Sequence, residues 1–164
     1  MNALGRDSGD VCSEVLWEDA ERAFCRLISD GSDCDRHAFM PVVSGIGHSN
    51  QGQILRLVHE YELKDHLDAA WALRPVELVR EAGQTMLVVD FAGGAPLDRL
   101  MHHAMETGLF LRIATAMSAA LGRLHGRGLI HKDLKPANVI VDSTTERVWL
   151  TGFGIASRLP RERQ

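Results

Sequence analysis

Between two short apolar runs, Leu129-Ile130 and Val139-Ile140-Val141, lies a tight polar loop, His131-Lys132-Asp133-Leu134-Lys135-Pro136-Ala137-Asn138. No other stretch constrains the fold as much. It places an acid, a lysine two residues on and an asparagine three beyond that in one proline-containing turn. Phosphoryl transfer uses such a set: a carboxylate to orient the attacking hydroxyl, a cation near the transferred group, and an amide oxygen that helps to hold a divalent metal.

The regions before the loop differ in texture. Residues 11–50 alternate short apolar pieces such as Ala23-Phe24-Cys25 and Phe39-Met40-Pro41-Val42-Val43 with the turn Asp30-Gly31-Ser32-Asp33, which predicts twisted antiparallel strands. From Gln53 to Leu67 the spacing turns helical, with Ile54, Leu57, Val58, Tyr61 and Leu67 near one face and Arg56, Glu60 and Lys64 pointing elsewhere. Thr85-Met86-Leu87-Val88-Val89 reads as a buried strand that leaves through Asp90-Phe91-Ala92-Gly93-Gly94, and Pro96 stands near a helix start. Leu109, Ile113, Met117, Leu121 and Leu124 then recur at three- and four-residue steps with alanines between them. That predicts a helix apolar over most of its circumference, ended by Gly126 and Gly128.

Composition narrows the class. The 164 residues are 45% apolar and 24% charged, as in a soluble globular domain, and the formal charge of −4 leaves no basic stripe for nucleic acid. Met1 to Asp10 lacks the apolar stretch of a secretion signal and no run is long enough to span a membrane, so the expected location is the cytoplasm, where Cys12, Cys25 and Cys34 are reduced thiols. The eight histidines lack ligand spacing, and Trp17, Trp71 and Trp149 are expected as core anchors.

The loop matches H-x-D-x-x-x-x-N and, with its flanks, resembles the catalytic loop of protein kinases, lysine two after the acid being the Ser/Thr form. That resemblance implies Asp133 as catalytic base, Lys135 as the γ-phosphate contact, Asn138 as a magnesium ligand and His131 as a structural anchor. Leu124-His125-Gly126-Arg127-Gly128 is similar to the helix end that leads into that loop, and Arg147 to Ala156 resembles the strand and D-F-G segment after it, so order and spacing agree over residues 54–157. Within that frame Glu60 would be the helix glutamate that pairs with a nucleotide-binding lysine, the competing reading being an ordinary surface glutamate. Asp90 and Ala92 would belong to the hinge that receives adenine through its backbone. ATP and magnesium are the implied cofactors. More narrowly, Ile130 to Asp133 with Thr151 to Leu159 resembles the kinase-like module that opens certain large bacterial sensor proteins.

Departures from the pattern shape the expectation. Gly152 stands where the family has its main metal-binding aspartate, and the candidate third strand, Ala38 to Val43, has no lysine. Val11 to Arg26 holds no glycine, while Gly45, Gly47 and Gly52 fall just before the helix and read as a linker. The chain as given stops too soon after Gly154 for an activation segment and the later large-lobe helices. The expectation is an α+β, two-lobed kinase-like fold across residues 1–164, with a small lobe over about 11–92 and the start of a large lobe over 93–164. In function it would be a degenerate signalling module, a pseudokinase with impaired phosphotransfer. An active Ser/Thr kinase and a non-enzymatic docking domain are the alternatives. Downstream domains, a protein partner or self-association would cover the long helix.

Overall fold

The alternating segments of the first ninety residues assemble into a sheet in the computed structural model, which describes residues 14–18, 23–26, 37–41, 51–81, 84–91, 93–102 and 104–159. Its strands are β1 (Glu14–Glu18), β2 (Ala23–Arg26), β3 (His37–Pro41), β4 (Pro75–Glu81) and β5 (Gln84–Asp90), in the order β1-β2-β3-β5-β4 with every pairing antiparallel. Thr85 to Val89 are all buried, as the unbroken apolar run requires of a strand covered on both faces. Trp17 stacks on Phe24 with ring centroids 4.2 Å apart, and Phe91 meets both rings edge-on.

Helix α1 (Gln51–Glu62) crosses beside this sheet. The spacing predicts a helix to Leu67, but the backbone tightens after Glu62. Leu63 N–H donates to Glu60 O at 3.2 Å and His66 N–H to Leu63 O at 2.8 Å, giving a 3₁₀ turn over Lys64–His66. The tightening brings Leu63 and Leu67 inward, where both are buried. Gly52 lies inside α1, so it is helix rather than linker; Gly45 and Gly47 lie outside the described residues.

After β5 the chain passes through β6 (Ala95–Pro96) and the one-turn helix α2 (Leu97–Leu100) to the 20-residue helix α3 (Thr107–Gly126). The Glu106 carboxylate caps α3 by accepting from Gly108 N–H at 2.7 Å and Leu109 N–H at 2.8 Å, and these bonds hold its carboxyl below the usual range. At the other end Gly128 takes φ +72 and donates to His125 O at 2.8 Å, a left-handed stop that glycine makes without a Cβ penalty.

The rest is short strands: β7 (Leu129–Ile130) pairs with β10 (Ser157–Arg158), and β8 (Val139–Asp142) pairs with β6 and β9 (Arg147–Leu150). The β8–β9 hairpin divides two cores because successive strand side chains face opposite ways. Val139, Val141, Val148 and Leu150 pack with Ile113, Ala120 and Leu124 of α3, whereas Ile140 and Trp149 join Phe24, Leu57, Leu87 and Val89. Trp149 Nε1–H also donates to Ala69 O at 2.9 Å, and Trp71 is buried, so both tryptophans anchor the core as expected. The segment 71–73 is tied to β9 by Leu73 N–H to Leu150 O and Leu150 N–H to Trp71 O, each 2.9 Å. The architecture is α+β, and no helix among the described residues is long and apolar enough to cross a membrane.

Helix α3 buries one face only. Phe110 and Leu111 are each 56% exposed, and a cavity of about 460 Å³ opens between α3, Leu97, Met101 and Leu134.

Candidate functional site

Strand β7 delivers the chain to His131 and β8 takes it up again at Val139, so the polar loop hangs between two fixed ends. His131 is buried. Its Nδ1 accepts the Asp133 N–H at 3.3 Å while Nε2 faces Thr151 O at 2.9 Å, which assigns the neutral ring with its proton on Nε2. Phe153 packs against that ring at 4.8 Å. Lys132 turns the corner at φ 67, a left-handed backbone uncommon outside glycine.

The three residues singled out by spacing do converge. Pro136–Asn138 forms a 3₁₀ turn in which Asn138 N–H donates to Lys135 O at 2.8 Å. The Asn138 Nδ2 group donates to Asp133 O at 2.8 Å and to Asp133 Oδ2 at 3.0 Å. Lys135 Nζ stands 3.4 Å from the same Oδ2, with both side chains half-exposed. Thr151 N–H donates to Asn138 O at 3.0 Å, binding the loop to the segment opposite.

That opposite wall, Thr151 to Ala156, works through its backbone. Gly152 is buried with φ +78, and its N–H donates to Glu60 Oε1 at 3.1 Å. Glu60 is only 3% exposed, so it is not the surface glutamate of the competing reading. His59 Nε2 lies 2.8 Å from Ala156 O, and Gly154 packs so closely that a Cβ there would stand 2.7 Å from Arg56 Cβ. Sequence reasoning missed His59 and Gly154. Their only signal was adjacency, His59 to Glu60 and Gly154 to Phe153. The Thr151 hydroxyl is buried without a hydrogen-bond partner among the described residues.

The residues expected to meet a nucleotide are thinner. Strand β3 is His-Ala-Phe-Met-Pro, and no lysine precedes Lys64 anywhere in the chain. Asp90 ends β5 opposite His37, with its N–H donated to Arg74 O at 2.9 Å. Ala92 lies outside the described residues.

A magnesium ion does not fit what is present. It demands near-octahedral oxygen ligands and keeps several waters, so its protein ligands must face solvent. Gly152 offers no side chain, and the Asn138 amide, the other expected ligand, is fully buried. Among the described residues no three His, Cys, Asp or Glu side chains are grouped to hold a metal.

Comparison with known proteins agrees with this layout. The family model described as protein kinase domain matches residues 44–164. The serine/threonine-protein kinase PknI of Mycobacterium tuberculosis is 38% identical over 85 residues, which cover 46% of this chain and 14% of that protein. The serine/threonine-protein kinase pkn2 of Myxococcus xanthus is 30% identical over 112 residues, 66% of this chain and 14% of that protein. Mitogen-activated protein kinase kinase kinase 1 of Rattus norvegicus is 27% identical over 114 residues, 68% of this chain and 8% of that protein. The chain therefore spans a small fraction of the length of the curated relatives it matches.

Proposed function

This chain belongs to the protein kinase family, and from that premise we propose that it serves as a kinase-like signalling module with a Ser/Thr-type catalytic loop and impaired phosphotransfer. One observation carries the reading. Asp133, Lys135 and Asn138 hold each other in the loop, while the wall they face presents Gly152 and no carboxylate. In this reading Asp133 occupies the position that orients a substrate hydroxyl and Lys135 the position next to a transferred phosphoryl group. The missing charges opposite them remove the electrostatic stabilisation that phosphoryl transfer depends on.

Nucleotide, in the same reading, enters through backbone groups of the crossing between the small lobe, about residues 11–92, and the part of the large lobe in 93–164, with Asp90 and Ala92 at the adenine edge. Glu60 has no lysine to hold in β3 and serves the backbone of Gly152 instead. The module acts in a bacterial cytoplasm, as part of a longer protein or with a protein partner that covers the outer face of α3. What supports the last point is the exposure of Phe110 and Leu111 beside an apolar cavity.

The test is titration with ATP and ADP, with and without magnesium. Weak binding with the same affinity in both conditions is expected; at a ligand concentration equal to Kd the stabilisation is RT ln 2, about 0.4 kcal/mol. Tight binding that required magnesium would overturn the reading.

A further inference from the structure

We propose that Asn138 serves this chain as a latch that has closed the cation position, not as a ligand that awaits a cation. The inference deepens the reading of an impaired site and rests on it. A Cβ placed on Gly152 would lie 2.7 Å from Asn138 Oδ1, 2.8 Å from its Cγ and 2.9 Å from its Nδ2. All three are closer than non-bonded heavy atoms tolerate, so the asparagine carboxamide already fills the volume through which a side chain at 152 would leave the backbone.

Neither partner is free to move aside. Asn138 is 0% exposed, its Nδ2 makes two bonds to Asp133, and its main chain is bonded to Lys135 O and to Thr151 N–H. Gly152 is held from behind by Glu60 at 3.1 Å, and the chain two residues on is pressed against Arg56. The backbone adds strain of its own, because φ +78 is a conformation that residues with a Cβ rarely adopt, although aspartate tolerates it better than most. Packing is the second obstacle, and the one that shortening Asn138 relieves.

Two consequences follow for any attempt to rebuild a cation site. Restoring a carboxylate at 152 displaces the Asn138 amide and breaks its bonds to Asp133. Making room by shortening Asn138 removes the second ligand. In this loop the two ligands exclude each other, so Gly152→Asp does not confer metal dependence.

The test is a mutant cycle on the full chain, without nucleotide: wild type, Gly152→Asp, Asn138→Ala and the pair, each melted with and without manganese. We expect Gly152→Asp to lower Tm by roughly 4–10 °C, the range of an overpacked interior in a chain of this size. The pair should melt well above the sum of the two single effects. No variant should gain a manganese-dependent shift. If Gly152→Asp does not fold, recovery of folded protein in the pair supports the latch, and failure of the pair beside a folded Asn138→Ala refutes it. Simple additivity, or Gly152→Asp as stable as wild type, also refutes it. A separate arm needs no variant to fold: manganese-enhanced water-proton relaxation should be absent from wild type, and micromolar manganese binding there would overturn the proposal. Phosphotransfer by wild type would defeat the impaired-site reading, whereas additivity in the cycle without phosphotransfer defeats the latch alone.

Discussion

The loop from His131 to Asn138 and the wall from Thr151 to Ala156 face each other across one site, yet they are built from different materials. The loop keeps its polar side chains and bonds them among themselves: Asn138 to Asp133, Asp133 to Lys135, and the Asp133 N–H to His131. The wall contributes N–H and C=O groups, received by Glu60 and His59 of α1, with glycines at the two closest approaches. The loop thus holds its shape through bonds among its own side chains. Its geometry is therefore no measure of whether the reaction runs.

The largest effect expected from perturbing this contrast is in the wall. Phe153 is fully buried and packs in the core shared with α3, so Phe153→Ala should cost about 3–5 kcal/mol in urea unfolding. A loss below about 1 kcal/mol would mean that the wall does not close that core. Next comes the seam between wall and helix. Glu60→Ala leaves the buried Gly152 N–H without its acceptor, and a loss of about 1.5–3 kcal/mol is expected, with faster amide exchange at Gly152 as the local readout.

The loop side should respond less. Lys135 and Asp133 form a half-exposed pair at 3.4 Å, so Lys135→Met should cost no more than about 1 kcal/mol, an effect that fades as salt is added. A loss comparable to that of Glu60→Ala would reverse the comparison. Smallest of all are two carboxylates outside the site. Bonds from the Thr145 hydroxyl and the Thr144 N–H hold Asp142 below its usual range, as the α3 N-terminus does for Glu106. Because each folded pKa is depressed, the stabilisation is present above the ordinary carboxylate values and is lost as pH falls below about 4. Melts of Asp142→Asn and Glu106→Gln should therefore be flatter than wild type in that acid window and only slightly different at neutral pH.

How far the sequence revealed the site follows the same division. The loop was legible because its side chains are local: acid, lysine and asparagine lie within six residues and their spacing alone brings them together. Helix α3 and strand β5 were legible from periodicity and from an unbroken apolar run. Glu60 was named only through the resemblance, and its burial and its bond to Gly152 were not legible, because that partner lies 92 residues away and the helical pattern places a charged residue between Leu57 and Tyr61 without saying that it is buried. The end of α1 was missed because the apolar spacing continues through a tightened turn. The sequence names Asn138 but not the direction of its amide, which depends on Gly152, fourteen positions on and brought close by the β8–β9 hairpin.

The most direct test is transfer of the γ-phosphate from labelled ATP, with magnesium or manganese, to generic protein substrates and to the chain itself. Losing one preorganised charged group at a reacting centre lowers rates by about 10²–10³, and both the carboxylate at 152 and the β3 lysine are missing here. We expect incorporation no higher in wild type than in Asp133→Ala. Incorporation in wild type that disappears in Asp133→Ala would contradict that and make this chain a working kinase.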